Sequence, residues 1–258
     1  MKFALVQHDI VWCERQENFA RLAPKIESAA ADGAGLVLLS ETFSTGFAVE
    51  DDRFAEPEGG PSSRFLAEMA RTHGVWVGGS CPEIPTDTDG GADRRPANTF
   101  VLCGADGTVH RYRKIHPFTF GGEDRHVRPG AELVTVNIDG LQCSLFVCYD
   151  LRFADEFWQV ARDTDVYLVP ANWPDSRREH WMTLLRARAI ENQAFVVGCN
   201  RVGRGGQLTY CGDSRIIGPF GEEIAVAGDG ECTITAEITA EHVAATRDRF
   251  RFLQDRRT

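Results

Sequence analysis

Three residues of complementary chemistry stand just past three apolar runs of the 258-residue chain. Glu41 follows residues 36–39, Lys114 follows 109–112 and Cys148 follows 143–147. Each run reads as a buried strand, and in α/β folds the carboxyl ends of strands are where ligands and catalytic groups gather. A thiol can attack an acyl carbon. A carboxylate can take its proton and return it to a leaving amine. An ammonium can face the oxyanion formed in between. Lys114 is conspicuous by type, because only Lys2, Lys25 and Lys114 are lysines among the 28 cations. A chain that otherwise uses the planar arginine fork places a compact point charge here. Eight cysteines are scattered without a C-x-x-C pair. Cys143 lies five residues before Cys148, on the opposite face of a regular strand, and reads as packing.

The elements that must hold these groups alternate. Strands are expected at residues 3–6, 36–39, 75–77, 166–169 and 195–199, and hairpins at 99–112 around A-D-G and 133–147 around D-G. Residues 16–31 carry Phe19, Leu22, Ala23, Ile26 and Ala30 on one helical face. A second helix carries Phe65, Leu66, Met69 and Ala70, with Ser62 or Ser63 as its cap, and a third spans 180–190. Residues 214–217, 224–226 and 233–238 complete the strands around a G-P-F-G turn, before a short charged helix. The pattern predicts an α/β fold of mixed sheets covered by helices, in one domain over 1–258. Residues 240–258 read as a C-terminal arm or tail, and 85–96 as an exposed loop.

Composition limits the function. A net charge of −10 argues against a broad basic surface for nucleic acid. No apolar stretch is long enough to span a membrane, and the first residues lack a signal-peptide pattern. A reducing cytoplasm with free thiols is expected. Seven histidines form neither H-x-H nor H-E-x-x-H, so no metal is expected.

L-L-S-E-T-F-S-T-G-F at 38–47, R-K-I-H-P-F at 113–118 and F-V-C-Y-D-L-R-F at 146–153 occur in that order, with A-N-W-P at 171–174 and R-A-R-A-I-E-N-Q at 186–193. Together these five segments resemble the nitrilase (carbon–nitrogen hydrolase) superfamily, in its omega-amidase-like branch. The resemblance implies a four-layer α-β-β-α sandwich, commonly paired into an eight-layer homodimer. It implies Glu41 as general acid/base, Lys114 and the backbone N–H of Tyr149 as oxyanion donors, and Cys148 as nucleophile. It implies a second glutamate, for which Glu123 fits. It also implies cofactor-free hydrolysis of small omega-amides of dicarboxylates, such as 2-oxoglutaramate, with release of ammonia. Thr42 and Pro117 stand where Met and a larger apolar residue are expected.

Phe43, Phe118 and Trp173 lie in or beside these segments and could wall a pocket, and Arg177 or Arg178 could hold a substrate carboxylate. Asp150 and Arg152 read as an ion pair bracing the nucleophile's turn. The alternatives are a nitrile or carbamoyl-amide hydrolase on the same scaffold, an acyltransferase, a metal hydrolase, a catalytically idle binding protein, and a Cys–His protease using His116 or His180.

Overall fold

The computed structural model describes residues 1–51, 53–86 and 93–257. Residues 87–92, the middle of the expected loop at 85–96, lie outside the described part. Two sheets dominate. The first is built from β1 (Lys2–Gln7), β2 (Leu36–Leu38), β3 (Glu56–Pro57), β4 (Trp76–Ile84), β5 (Ala97–Cys103), β6 (Val109–Arg113) and a late strand at Cys232–Glu237. The second holds β7 (Val134–Ile138), β8 (Leu141–Leu145), β9 (Val166–Ala171), β10 (Phe195–Asn200) and two strands at Arg215–Ile217 and Glu223–Val226. A separate ribbon pairs β11 (Val202–Gly205) with β12 (Leu208–Cys211), so the later strands are β13, β14 and β15 in chain order. The first sheet runs β15-β1-β2-β4-β5-β6, with β3 beside β4, and the second β14-β13-β10-β9-β8-β7. β1, β2 and β4 are mutually parallel, as are β8, β9 and β10, and hairpins supply the flanks.

Strand alternation explains the layering. In β1, Phe3 and Leu5 face the second sheet, joining Leu145, Leu168 and Val197 in the central core. Ala4 and Val6 point the other way and pack on α1 (Arg15–Ala31) and α2 (Pro61–His73) through Phe19, Leu22, Phe65 and Leu66. α4 (Ala154–Gln159), α5 (Arg178–Asn192) and α6 (Ala240–Arg249) add Phe157, Trp181, Leu185 and Val243 to the core of the second sheet. α3 is a single turn at Glu123–His126. The result is the expected four-layer sandwich, helices outside and two sheets inside.

Three local expectations are corrected. Gly60, not Ser62 or Ser63, is the N-cap of α2, with Pro61 starting the helix. Ser62 instead binds the buried carboxylate of Glu56. β6 is an edge strand in which only Tyr112 is buried, because among the described residues no strand pairs beyond it. The Asp150–Arg152 ion pair does not form. Asp150 accepts from Tyr112 Oη, from the backbone N–H of Val147 and from His116, whereas Arg152 lies against Trp173. The C-terminal segment packs on its own chain. Arg247 donates to the carbonyls of Ala161, Thr164, Asn192 and Gln193. No helix among the described residues is long and apolar enough to cross a membrane.

Candidate active site

Glu41 begins the turn after β2. The backbone there is fixed by Leu39 N–H to the Gly78 carbonyl and by Thr42 N–H to Ser80 Oγ. Thr42 takes a left-handed φ of 41°, which reverses the chain over a residue other than glycine. Lys114 follows β6. Its N–H binds the Asn98 carbonyl, and its own carbonyl accepts from Gly130. A side chain at 130 would put Cβ 2.1 Å from the Arg113 carbonyl oxygen, so only glycine can make this approach. Cys148 opens a 3₁₀ turn, Cys148–Arg152, three residues past β8. Its φ of 47° is left-handed, a strained geometry that presents the side chain at the bend. Asp150 ties this turn together from within, and Arg188 of α5 supports it from behind by donating to the Leu151 carbonyl at 2.8 Å.

The side chains meet. Lys114 is 1% exposed and donates to Glu41 Oε1 at 2.9 Å and to Glu123 Oε2 at 2.8 Å. Asn98 Nδ2 bridges the same two carboxylates at 2.8 and 3.0 Å. Asn172 N–H, at the end of β9, donates to Glu41 Oε2 at 2.8 Å, and Phe118 N–H donates to Glu123 Oε2 at 2.6 Å. Every oxygen of the two carboxylates is thus held. Glu41, Lys114 and Cys148 line one cavity of about 140 Å³, below the roughly 300 Å³ of pockets that take drug-sized ligands. Its other walls include Phe47, Phe118, Tyr149, Arg152, Trp173, Arg177 and Tyr210.

Electrostatics follow from dryness and from two anions around one cation. Burial works against the Lys114 ammonium, but Glu123 and Glu41 outweigh it and hold its pKa well above the usual lysine value. Burial raises the Glu123 carboxyl; Lys114 pulls it back and the Glu41 charge adds to the rise. For Cys148 burial is again the first cause. With the Glu41 charge it pushes the thiol well above the ordinary cysteine range, against the pull of Lys114. Both influences favour the thiol over a standing thiolate, beside the Glu41 carboxylate in the same cavity.

Of the residues expected at the site, Glu41, Lys114, Glu123 and Cys148 converge, and Tyr149, Phe118, Trp173 and Arg177 line the cavity or its wall. Phe43 does not. It is fully buried between Phe19 and Phe65 in the helix-facing layer, because the turn at Thr42 sends it away from the cavity, and Phe47 takes the expected place. Arg178 is bound to Asp213 outside the cavity. His116 and His180 do not line the cavity. Among the described residues no three His, Cys, Asp or Glu side chains converge as a metal-ligand set. Sequence reasoning missed Asn98, Asn172, Arg152 and Tyr210. Asn98 had a signal, a polar side chain inside an apolar strand that must find partners. Tyr210 had none.

Known proteins resemble this chain over nearly its whole length. Omega-amidase YafV of Yersinia enterocolitica is 38% identical over 99% of this chain and 96% of its own length. The 2-oxoglutaramate amidase of Bacillus subtilis is 31% identical over 94% of this chain and 92% of its own. Among solved structures, a CN-hydrolase superfamily protein of Xanthomonas campestris, with an arsenic adduct in its active site, superposes with a TM-score of 0.93. That pair is 34% identical, with 100% of this chain and 97% of the other covered. Saccharomyces cerevisiae Nit3, a nitrilase superfamily member, gives a TM-score of 0.86 at 27% identity, over 97% and 94%. The carbon–nitrogen hydrolase family profile matches residues 2–248, and with the relatives above and the convergence of Glu41, Lys114 and Cys148 it follows that this chain belongs to the carbon–nitrogen hydrolase family.

Proposed function

We propose that the protein hydrolyses small omega-amides of dicarboxylates, 2-oxoglutaramate being the type, through a thioester on Cys148. The observation that carries this reading is the thiol beside Glu41, with the Lys114 ammonium fixed by two carboxylates in the same cavity. Glu41 takes the Cys148 proton as sulfur attacks the amide carbon. The oxyanion is met by Lys114 and by the backbone N–H of Tyr149, each such donor being worth on the order of 3 kcal/mol of barrier. Glu41 passes the proton to the leaving nitrogen, the C–N bond breaks, and ammonia departs. A water molecule then attacks the thioester, giving its proton to Glu41, and Cys148 is released with the carboxylate product. Glu123 holds Lys114, and with it the attacking water, in place.

Phe118 and Trp173 frame the substrate and Arg177 takes its carboxylate. No cofactor enters these steps. The relatives named omega-amidase and 2-oxoglutaramate amidase, at 38% and 31% identity, support the amide over a nitrile or carbamoyl group. We also propose that residues 1–258 act as one catalytic domain, that two copies pair as is common in the superfamily, and that a reducing cytoplasm suits eight unpaired cysteines. The test is an ammonia-release screen over omega-amides and matching nitriles, with Cys148→Ala as control. Turnover of amides but not nitriles, lost in the variant, is expected. Nitrile turnover, or cellular function surviving in Cys148→Ala, would overturn the reading.

A further inference from the structure

We infer that Asn172 binds the leaving end of the substrate: its side-chain oxygen accepts a hydrogen from the amide nitrogen, and Thr42 holds it in place to do so. The inference rests on the amidase reading above and deepens it, because it says how the site tells an amide from an ester or a nitrile. Asn172 stands just past β9, is 7% exposed and lines the cavity of Glu41, Lys114 and Cys148. Its backbone N–H donates to Glu41 Oε2 at 2.8 Å, which anchors it beside the carboxylate that passes a proton to the leaving nitrogen. Its Nδ2 donates to Thr42 Oγ1 at 2.7 Å, and Thr42 is itself fully buried. Thr42 stands where the family resemblance leads one to expect Met, whose thioether is only a weak acceptor. The hydroxyl is well placed for the task. Thr42 N–H binds Ser80 Oγ at 2.9 Å and the Thr42 carbonyl accepts from Gly46 N–H at 2.8 Å, so its backbone is fixed on both sides.

What remains is Asn172 Oδ1. It is buried and finds no donor among the described residues. A buried carbonyl without a donor is unfavourable, so a ligand that brings one gains by meeting it. Asn98 Oδ1 is also without a partner, but Asn98 does not line the cavity and lies out of a substrate's reach. Glu41 offers the substrate little in its place, because its oxygens already accept from Lys114, Asn98 and the Asn172 N–H. A primary amide carries two N–H donors, whereas an ester or a nitrile carries none. Glu41 must reach the amide nitrogen to protonate it, which brings that nitrogen to the residue whose own N–H touches the same carboxylate. Holding one N–H also aims the lone pair. Once sulfur has added to the carbon, the nitrogen becomes pyramidal and its lone pair must face Glu41 to take the proton that came from Cys148. The C–N bond then breaks, ammonia leaves with its hydrogen bond to Oδ1, and the thioester stays behind. Against an ester, the same Oδ1 meets the alkoxy oxygen, acceptor against acceptor.

Two substrates with one acyl group test this on the full chain: glutaramate and monomethyl glutarate, which give the same thioester and release ammonia or methanol. Asn172→Leu should lower the amide-to-ester ratio of kcat/KM by roughly 5- to 100-fold, the usual cost of a lost buried hydrogen bond, with the ester rate little changed. Thr42→Val keeps the shape, deletes the hydroxyl and should lower the ratio in the same direction, which guards against misfolding in the first variant. Thr42→Ser keeps the hydroxyl and should restore the ratio to within about twofold of the wild type. In Cys148→Ala, which cannot turn over, glutaramate should raise the thermal midpoint more than monomethyl glutarate does, and adding Asn172→Leu should abolish that difference. A ratio unchanged within about twofold in both Asn172→Leu and Thr42→Val would overturn the inference and leave the amidase reading intact. So would a ratio that rises, the result expected if Asn172 turned its NH2 toward the substrate. If the wild type releases no ammonia, the glutaramate advantage in Cys148→Ala, lost with Asn172→Leu, would sustain the Asn172 contact and sink the amidase reading; its absence would sink both.

Discussion

Replacing Lys114 with methionine keeps most of the side-chain volume and deletes its charge, in a site with almost no access to water. Two buried carboxylates, Glu41 and Glu123, would then face each other across Asn98 with no cation between them. Removing one partner of a buried ion pair costs about 3–5 kcal/mol. At about 2–4 °C per kcal/mol for a chain of this size, the midpoint should fall by roughly 6–20 °C. The loss should depend on pH. The carboxyls can relieve their repulsion only by taking up a proton, and burial already pushes Glu123 upward with lysine present. A folded-state pKa raised above the unfolded value of about 4.3 contributes stability that is complete below pH 4.3 and disappears as pH rises through the raised value. The gap between wild type and Lys114→Met should therefore be small near pH 5 and widest near pH 8. Denaturant melts at the two pH values measure it. A gap independent of pH, or larger in acid, would refute the account of the site as two anions around one cation. Turnover should also fall by about 10²–10³-fold, the usual loss for one oxyanion donor.

Alkylation of Cys148 by iodoacetamide should be slow at pH 7 and still rising above pH 9, because burial and the Glu41 charge keep the thiol protonated; a plateau below pH 8 would contradict this. Glu41→Gln removes a charge that raises the thiol pKa, so alkylation should begin at lower pH while ammonia release is abolished. Phe43→Ala should cost about 3–5 kcal/mol by opening a cavity between Phe19 and Phe65 without changing KM, whereas Phe47→Ala should change KM at little cost in stability, by denaturation and steady-state kinetics. Asp150→Asn keeps the shape but cannot accept from Val147, Tyr112 and His116 together, so kcat should fall at least tenfold with KM nearly constant, and an equal change in both would count against a positioning role.

The mixed sheets covered by helices and the convergence of Glu41, Lys114 and Cys148 were legible because they depend on short-range rules, whereas the four-layer count and Glu123 came from the resemblance to the family. Apolar runs of four or five residues mark buried strands, and polar residues at their ends mark one rim. What failed depended on backbone direction after a strand ends. Phe43 lies two residues past Glu41, yet the left-handed bend at Thr42 turns it toward the helices, and no residue type announces a positive φ at threonine. Asp150 and Arg152 looked like an ion pair because they are close in sequence. Their 3₁₀ turn sends one inward to Tyr112 and the other to the wall of the cavity. Arg152 and Tyr210 reach the cavity only through tertiary packing, which sequence spacing does not encode.

β1 and β15 have a consequence for how the molecule is assembled. Residues 2–7 find their antiparallel partners at 232–237, and Met1 and Ile238 exchange backbone hydrogen bonds beside them. A ribosome must deliver nearly all the intervening polypeptide before that rim can zip shut. Until then, the outer edge of β1 offers unsatisfied amides to any passing strand, so the nascent chain has a long exposure to aggregation at a segment made well before its partner.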